Sequence, residues 1–191
     1  MKVLVTGVTG LLGNNILRLL VERGDDVRAF VRRDSDRRPL ERLDVEIVHG
    51  DIRDAEAVAL AVRGTEAAIH SAAFVHIGWT GGDLAKSINV EGTRNIAAAA
   101  RAEGIRLVHV STVDTLGQGT RDRPADEESK SPPPVACPYV VTKRQGEEIV
   151  REYLAQGLDA LIVHPGYMIG PWDWKPSSGR MLLEAARGSM W

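Results

Sequence analysis

Residues 6–13, Thr6-Gly7-Val8-Thr9-Gly10-Leu11-Leu12-Gly13, constrain this chain more than any other stretch. They follow a β-branched run at 2–6 (KVLVT) and open an apolar helical pattern at 11–23. In that pattern Leu12, Ile16, Leu19 and Leu20 recur at helical spacing, and Gly24 supplies the stop. Glycines so placed between a strand and a helix point to the start of a βαβ unit. Gly7 permits the tight turn, Gly10 lets a pyrophosphate approach the backbone, and Gly13 lets the helix pack on the strand. The helix N-terminus adds free N–H groups and a partial positive charge. The expectation is a dinucleotide-binding turn, with Thr9, Leu11 and Leu12 contributing to the cradle.

The rest of the chain repeats that alternation. Strands are expected at 27–31, 45–48, 67–70, 106–111 and 158–163. Helices are expected at 55–62, 83–102 (ended by Gly104) and 138–155. This order predicts an α/β fold: a doubly wound parallel sheet, or Rossmann fold, with helices on both faces. Residues 117–138 read as a loop, with Pro124, Pro132, Pro133, Pro134 and Pro138. After His164 the pattern turns irregular, a short helix begins near 180–187, and the sequence stops on Trp191 without a visible cap.

Composition narrows the function. At 191 residues and 43% hydrophobic, the chain can bury one sizeable core. A formal charge of -2 argues against general attraction to nucleic acid or an anionic membrane. Cys137 is the only cysteine, so no intrachain disulfide forms and a reducing compartment fits. No run approaches the roughly 20 apolar residues of a membrane span, and no leader pattern precedes the first strand, so a cytoplasmic protein is expected. His49, His70, His76, His109 and His164 lack close-spaced ligand partners, and no metal site is expected.

Two further patterns carry chemistry. Tyr139 and Lys143 stand four apart in the helical pattern at 138–155, which puts a phenol and an ammonium on one face. A cation beside a phenol favours the phenolate, whose unperturbed pKa is about 10. Such a pair can exchange a proton with an alcohol or carbonyl. Alone it also fits an ordinary helix surface. The end of the second strand carries Arg32 and Arg33, about 20 residues past the glycines, where an acidic residue would select a ribose 2′-hydroxyl and an arginine a 2′-phosphate. The expectation is NADP, with NAD the alternative. Asp34 lies past the expected position. The same arginines also read as the opening of a charged loop (RRDSDRR).

Together these residues resemble the extended short-chain dehydrogenases/reductases, the NAD-dependent epimerase/dehydratase family. The likeness runs through TGVTGLLG, Gly50-Asp51-Ile52, His70-Ser71-Ala72-Ala73, Asn89-Val90-Glu91-Gly92-Thr93, Ser111-Thr112, Tyr139-Val140-Val141-Thr142-Lys143 and His164-Pro165-Gly166. The resemblance implies that Asp51 and Ile52 flank the adenine. Ser71, Ala72 and Ala73 line the cofactor, with Asn89 contributing, and the backbone at Pro165 and Gly166 nears the nicotinamide. It makes Thr112, Tyr139 and Lys143 the catalytic set, with Lys143 binding the nicotinamide ribose and lowering the Tyr139 pKa. Singly, Asp51 also fits a helix N-cap, Thr112 a strand end and Pro165-Gly166 a turn.

Within that family, nucleotide-sugar dehydratases carry Thr-Asp-Glu where this chain has Thr112-Val113-Asp114, which argues against dehydration. Residues 27–32 and 170–176 resemble the dihydroflavonol-4-reductase-like branch. The implied activity is hydride transfer between NADP(H) and the carbonyl or alcohol carbon of a small molecule. A nucleotide-sugar epimerase and a non-catalytic NADP-binding fragment are the alternatives. Trp172 and Trp174 either wall a pocket or pack a loop. The resemblance also implies a cofactor domain at 1–165, the start of a truncated substrate region at 166–191, and a homodimer pairing helices 83–102 and 138–155.

Overall fold

Six short runs of β-branched and aliphatic residues form strands β1 (Lys2–Thr6), β2 (Asp26–Val31), β3 (Glu46–His49), β4 (Ala67–His70), β5 (Arg106–Val110) and β6 (Ala160–Val163). The computed structural model describes residues 1–129, 135–176 and 179–188. Pro132, Pro133, Pro134 and Trp191, singled out above, lie outside the described residues. All strand pairs are parallel, in the order β3-β2-β1-β4-β5-β6. The chain therefore reverses its direction of winding between β1 and β4. Thr6, Phe30 and His70 stand level across β2, β1 and β4, so the loops after these strands gather at one edge of the sheet. In open α/β sheets this crevice is where ligands bind.

Between the strands lie α1 (Leu11–Glu22), α2 (Ala55–Val62), α3 (Gly82–Ala85), α4 (Gly92–Glu103), α5 (Pro138–Ala155) and α6 (Arg180–Ala186). Local chemistry explains their ends. The Asp54 carboxylate caps α2 by accepting from the Glu56 and Ala57 amides at 3.0 and 3.1 Å. Gly104, at φ 71°, closes α4 in the left-handed conformation. Pro138 opens α5, where its missing N–H costs nothing. Most expected bounds hold to within one or two residues, as is usual at frayed ends.

The helix expected at 83–102 is different in kind. It runs as α3, a π-helical turn at Lys86–Glu91, and then α4. The hydrophobic period does not distinguish i+4 from i+5 bonding over six residues. The inserted turn brings Asn89 into the interior, 1% exposed. Such turns concentrate at functional sites.

Both faces of the sheet are apolar, as a parallel sheet requires. On one face Leu4, Ala68 and Leu107 pack with Val58 and Val62 of α2 and Ile96 of α4. On the other, Val3, Val5, Val27 and Val31 pack with Leu17 and Leu20 of α1. Helical cover of this second face is partial among the described residues: Leu161 and Val163 of β6 are 54% and 39% exposed. Among the described residues no helix is long and apolar enough to cross a membrane.

Candidate active site

A cleft of about 500 Å³ opens at the edge of the sheet where the winding reverses. Its floor is the glycine turn. Gly7 takes φ 74°, and a Cβ there would lie 2.7 Å from the Ala72 amide nitrogen. A Cβ on Gly13 would collide with the Gly7 carbonyl, which explains how α1 sits so close to β1. At Gly10 the nearest atom to such a Cβ is 3.4 Å away, so that position is open toward the cleft. No side chain caps α1 among the described residues, and its first-turn amides are left to a ligand. An open cradle with uncapped amides fits a pyrophosphate. Opposite, the Ser71 hydroxyl donates to the Thr6 carbonyl at 2.7 Å and the Ala72 amide to the Thr6 hydroxyl at 3.2 Å. These bonds lock the second wall to the first.

At the far end Arg32, Ser35, Asp51 and Ile52 line the cleft. Arg32 is half exposed and pairs with Asp34 at 3.3 Å. Exposed pairs of this kind are weak, so the guanidinium is free to turn to an anion. Asp51 is not the cap of α2, since Asp54 fills that role. It accepts instead from Arg53, whose hydrogen bond holds its carboxyl below the usual value.

Two of the three catalytic candidates sit at the other end, and the third, Thr112, lies off the cleft lining. Tyr139 and Lys143 line the cleft from α5. Thr112 caps the single 3₁₀ turn Val113–Thr115 that follows β5. Its hydroxyl donates to Asp114 Oδ2 at 3.0 Å and accepts from the Asp114 amide at 3.3 Å. Burial pushes the Tyr139 phenol above its usual pKa, the Thr112 hydroxyl offsets part of the rise, and the Asp114 charge adds to it. The expected lowering by Lys143 is not found. Lys143 Nζ donates to the Val110 carbonyl at 2.7 Å and is 3% exposed, and burial brings its pKa down to about 8. The reason is geometric: four residues of spacing share a helix face, but the long lysine stem follows the buried carbonyl at the end of β5.

Beneath this pair lies a polar layer. The His70 ring bridges the Thr6 and Thr93 hydroxyls at 2.8 and 3.2 Å and packs 5.4 Å from His109. Burial, reinforced by the Lys143 charge, drives His70 down to about 3 and His109 well below its usual value, so both rings are neutral. No group of three metal-ligating side chains occurs among the described residues. Glu147, 3% exposed, is one turn beyond Lys143. It accepts from Ser111 and Thr115 at 2.5 Å each and from Arg151 at 3.1 Å, and it pairs with His164 Nε2 at 3.1 Å. Ser111 and Thr115 bracket Thr112, so Glu147 pins the Thr112 turn to the helix that carries Tyr139.

The cleft lining thus includes Gly7, Thr9, Gly10, Leu11, Leu12, Gly13, Arg32, Asp51, Ile52, Ser71, Ala72, Ala73, Tyr139 and Lys143. Three expected cofactor residues lie off it. The Asn89 amide is spent inside the wall, on both backbone groups of Phe74 and on the Thr142 hydroxyl. Pro165 gives its carbonyl to the Val113 amide at 3.1 Å, and Gly166 follows it. Met168 and Lys175 reach the cleft in their place. Sequence reasoning passed over Glu147 and Lys175. The first had a signal, since 139, 143 and 147 repeat at i+4. The second had none, because its position depends on a turn of the chain.

The NAD dependent epimerase/dehydratase family matches residues 3–188. Sterol demethylase protein B of Methylococcus capsulatus is 41% identical over 100% of this chain and 58% of its own length. A dihydroflavonol 4-reductase-like protein of Synechocystis sp. is 36% identical over 97% of this chain and 55% of its own. The chain thus spans little more than half the length of these relatives. The UDP-glucose 4-epimerase of Thermus thermophilus, solved in complex with NAD, superposes with a TM-score of 0.83 at 28% identity, covering 98% of this chain and 62% of its own. With its strand order, glycine cradle and Tyr139–Lys143 helix, this chain belongs to the NAD dependent epimerase/dehydratase family.

Proposed function

We propose that this chain is the cofactor-binding part of an NADP(H)-dependent carbonyl reductase acting on a small molecule. The single observation that carries this reading is the buried Tyr139 phenol in the wall of the dinucleotide cleft, which Lys143 of the same helix also lines. When bound, the nicotinamide supplies a hydride to the carbonyl carbon. Tyr139 gives its phenolic proton to the carbonyl oxygen, yielding an alcohol. Burial keeps that phenol in the protonated form that such a transfer requires. Thr112 orients the same oxygen. Lys143 holds the ribose from the cleft wall.

Arg32 at the end of β2 favours NADP over NAD, and Asp51 is already engaged by Arg53. Val113, in the place of a dehydratase acid, gives no second proton-transfer group. In this reading residues 1–165 hold the cofactor and 166–191 begin the substrate region. The protein acts in the cytoplasm as a homodimer through the helices at 83–102 and 138–155.

The test is Tyr139→Phe, assayed in the full chain. Turnover of a carbonyl substrate with NADPH should fall at least 100-fold while the NADPH dissociation constant stays within about threefold. One oxidised cofactor should accumulate per alcohol formed. Substrate conversion without net cofactor oxidation would instead identify an epimerase, and unchanged turnover in the variant would refute the role of Tyr139.

A further inference from the structure

After β6 the chain folds back over α1. The Asn15 amide side chain donates to the Pro171 carbonyl at 2.9 Å, tying this segment to the second turn of the helix. The Arg18 guanidinium lies over the Trp172 ring, 3.6 Å from its centroid. Trp172 in turn stacks near Trp174, with ring centroids 6.1 Å apart. To make this turn Trp172 adopts φ 66°, a left-handed conformation that costs a bulky residue energy and persists only where surrounding contacts enforce it.

Arg18 does a second job. It donates to the Pro39 carbonyl at 3.3 Å and to Asn14 Oδ1 at 2.9 Å. Pro39 belongs to the loop that leaves β2 and carries Arg32 and Ser35. One guanidinium therefore joins that loop to the folded-back segment. The result is that Lys175 lines the same cleft as Arg32 and Ser35, although 140 residues separate it from Ser35. The Asp36 carboxyl of that loop, held down to about 2 chiefly by hydrogen bonds from Arg38, also feels the Lys175 charge.

We propose that residues 171–176 form a strap across the cofactor cleft, and that Lys175 joins Arg32 and Ser35 to bind the 2′-phosphate of the cofactor's adenosine ribose. The inference rests on the NADP reading above and adds to it a residue from outside the β2 loop. A guanidinium, an ammonium and a hydroxyl lining one cleft from two segments suit a phosphate dianion, which offers three acceptor oxygens. The Thr9–Gly13 turn serves the pyrophosphate, so the two phosphate sites are separate.

The experiment is calorimetric titration of the full chain with 2′,5′-ADP and with 5′-AMP, which share the adenosine and differ by the 2′-phosphate. The wild type should bind 2′,5′-ADP more tightly. Lys175→Gln should weaken 2′,5′-ADP about tenfold and leave 5′-AMP within twofold. Trp172→Ala, which releases the strap, should produce the same selective loss. If Lys175→Gln leaves the 2′,5′-ADP preference intact, or weakens both ligands equally, the proposal is wrong while the NADP reading stands. If the wild type shows no preference for 2′,5′-ADP, both fall together.

Discussion

Lys143 Nζ donates to the Val110 carbonyl at 2.7 Å, so the lysine of the Tyr139–Lys143 pair is held by the end of β5 and not by Tyr139. This partner has a thermodynamic consequence. The folded chain releases the lysine proton near pH 8, whereas an unfolded lysine keeps it to about 10.4. Between those values unfolding takes up a proton, so stability rises with pH across that window, by up to about 3 kcal/mol, and is independent of this group below it. Urea midpoints at pH 7 and pH 9.5 should show the rise in the wild type. In Lys143→Met the rise should be absent, and at pH 7 that variant should be at least as stable as the wild type. A wild type with no such rise would mean that the lysine is not buried.

Thr112 and Asp114 act on Tyr139 in opposite senses. The Thr112 hydroxyl lowers the phenol pKa and the Asp114 charge raises it. Thr112→Val should therefore move the Tyr139 titration upward, and Asp114→Asn should move it downward. The chain has three tyrosines, so the phenolate absorbance is read as a difference against Tyr139→Phe. Shifts of the same sign in both variants would contradict the geometry.

Glu147 gathers partners from the residue that follows β5, from the turn after it, from α5 and from the residue that follows β6. Glu147→Ala strands the Ser111 and Thr115 hydroxyls and the His164 ring at a buried site, and should cost about 3 kcal/mol. Glu147→Gln fills the space and retains one acceptor oxygen, so it should cost about 1 to 2 kcal/mol. Because Ser111 and Thr115 flank Thr112, the Gln variant should lower kcat with little change in the cofactor dissociation constant. Chemical denaturation and steady-state kinetics check the two halves.

The glycines of the cradle should separate folding from binding. Gly13→Ala drives a methyl into the Gly7 carbonyl and should destabilise the free protein by about 2 kcal/mol or more. Gly10→Ala meets no protein atom nearer than 3.4 Å and keeps φ −95°, so its melting temperature should stay within about 2 °C of wild type. Its added methyl enters the proposed pyrophosphate cradle, and the cofactor dissociation constant should rise at least tenfold. Thermal melts with and without cofactor distinguish the two.

Much of the fold was legible because its signals are local. The KVLVT run, the glycines at 7, 10 and 13, Gly104 after α4 and Pro138 at the head of α5 each act through neighbouring residues, and each element formed where it was expected. The cofactor cradle was legible for the same reason. The π-helical turn at Lys86–Glu91 was not, since six residues of apolar pattern fit either hydrogen-bond spacing. Neither was the wall role of Asn89, which depends on Phe74 and Thr142 reaching it.

By itself, then, the sequence determined the sheet, the cradle and the pairing of Tyr139 with Lys143 on one helical face. Tertiary structure decided what those groups touch. Lys143 meets Val110 across 33 residues, Ser111 meets Glu147 across 36, and Asn15 meets Pro171 across 156. A buried charge takes whichever partner packing brings within about 3 Å, and that partner is set by strand order and loop path, which no local pattern encodes.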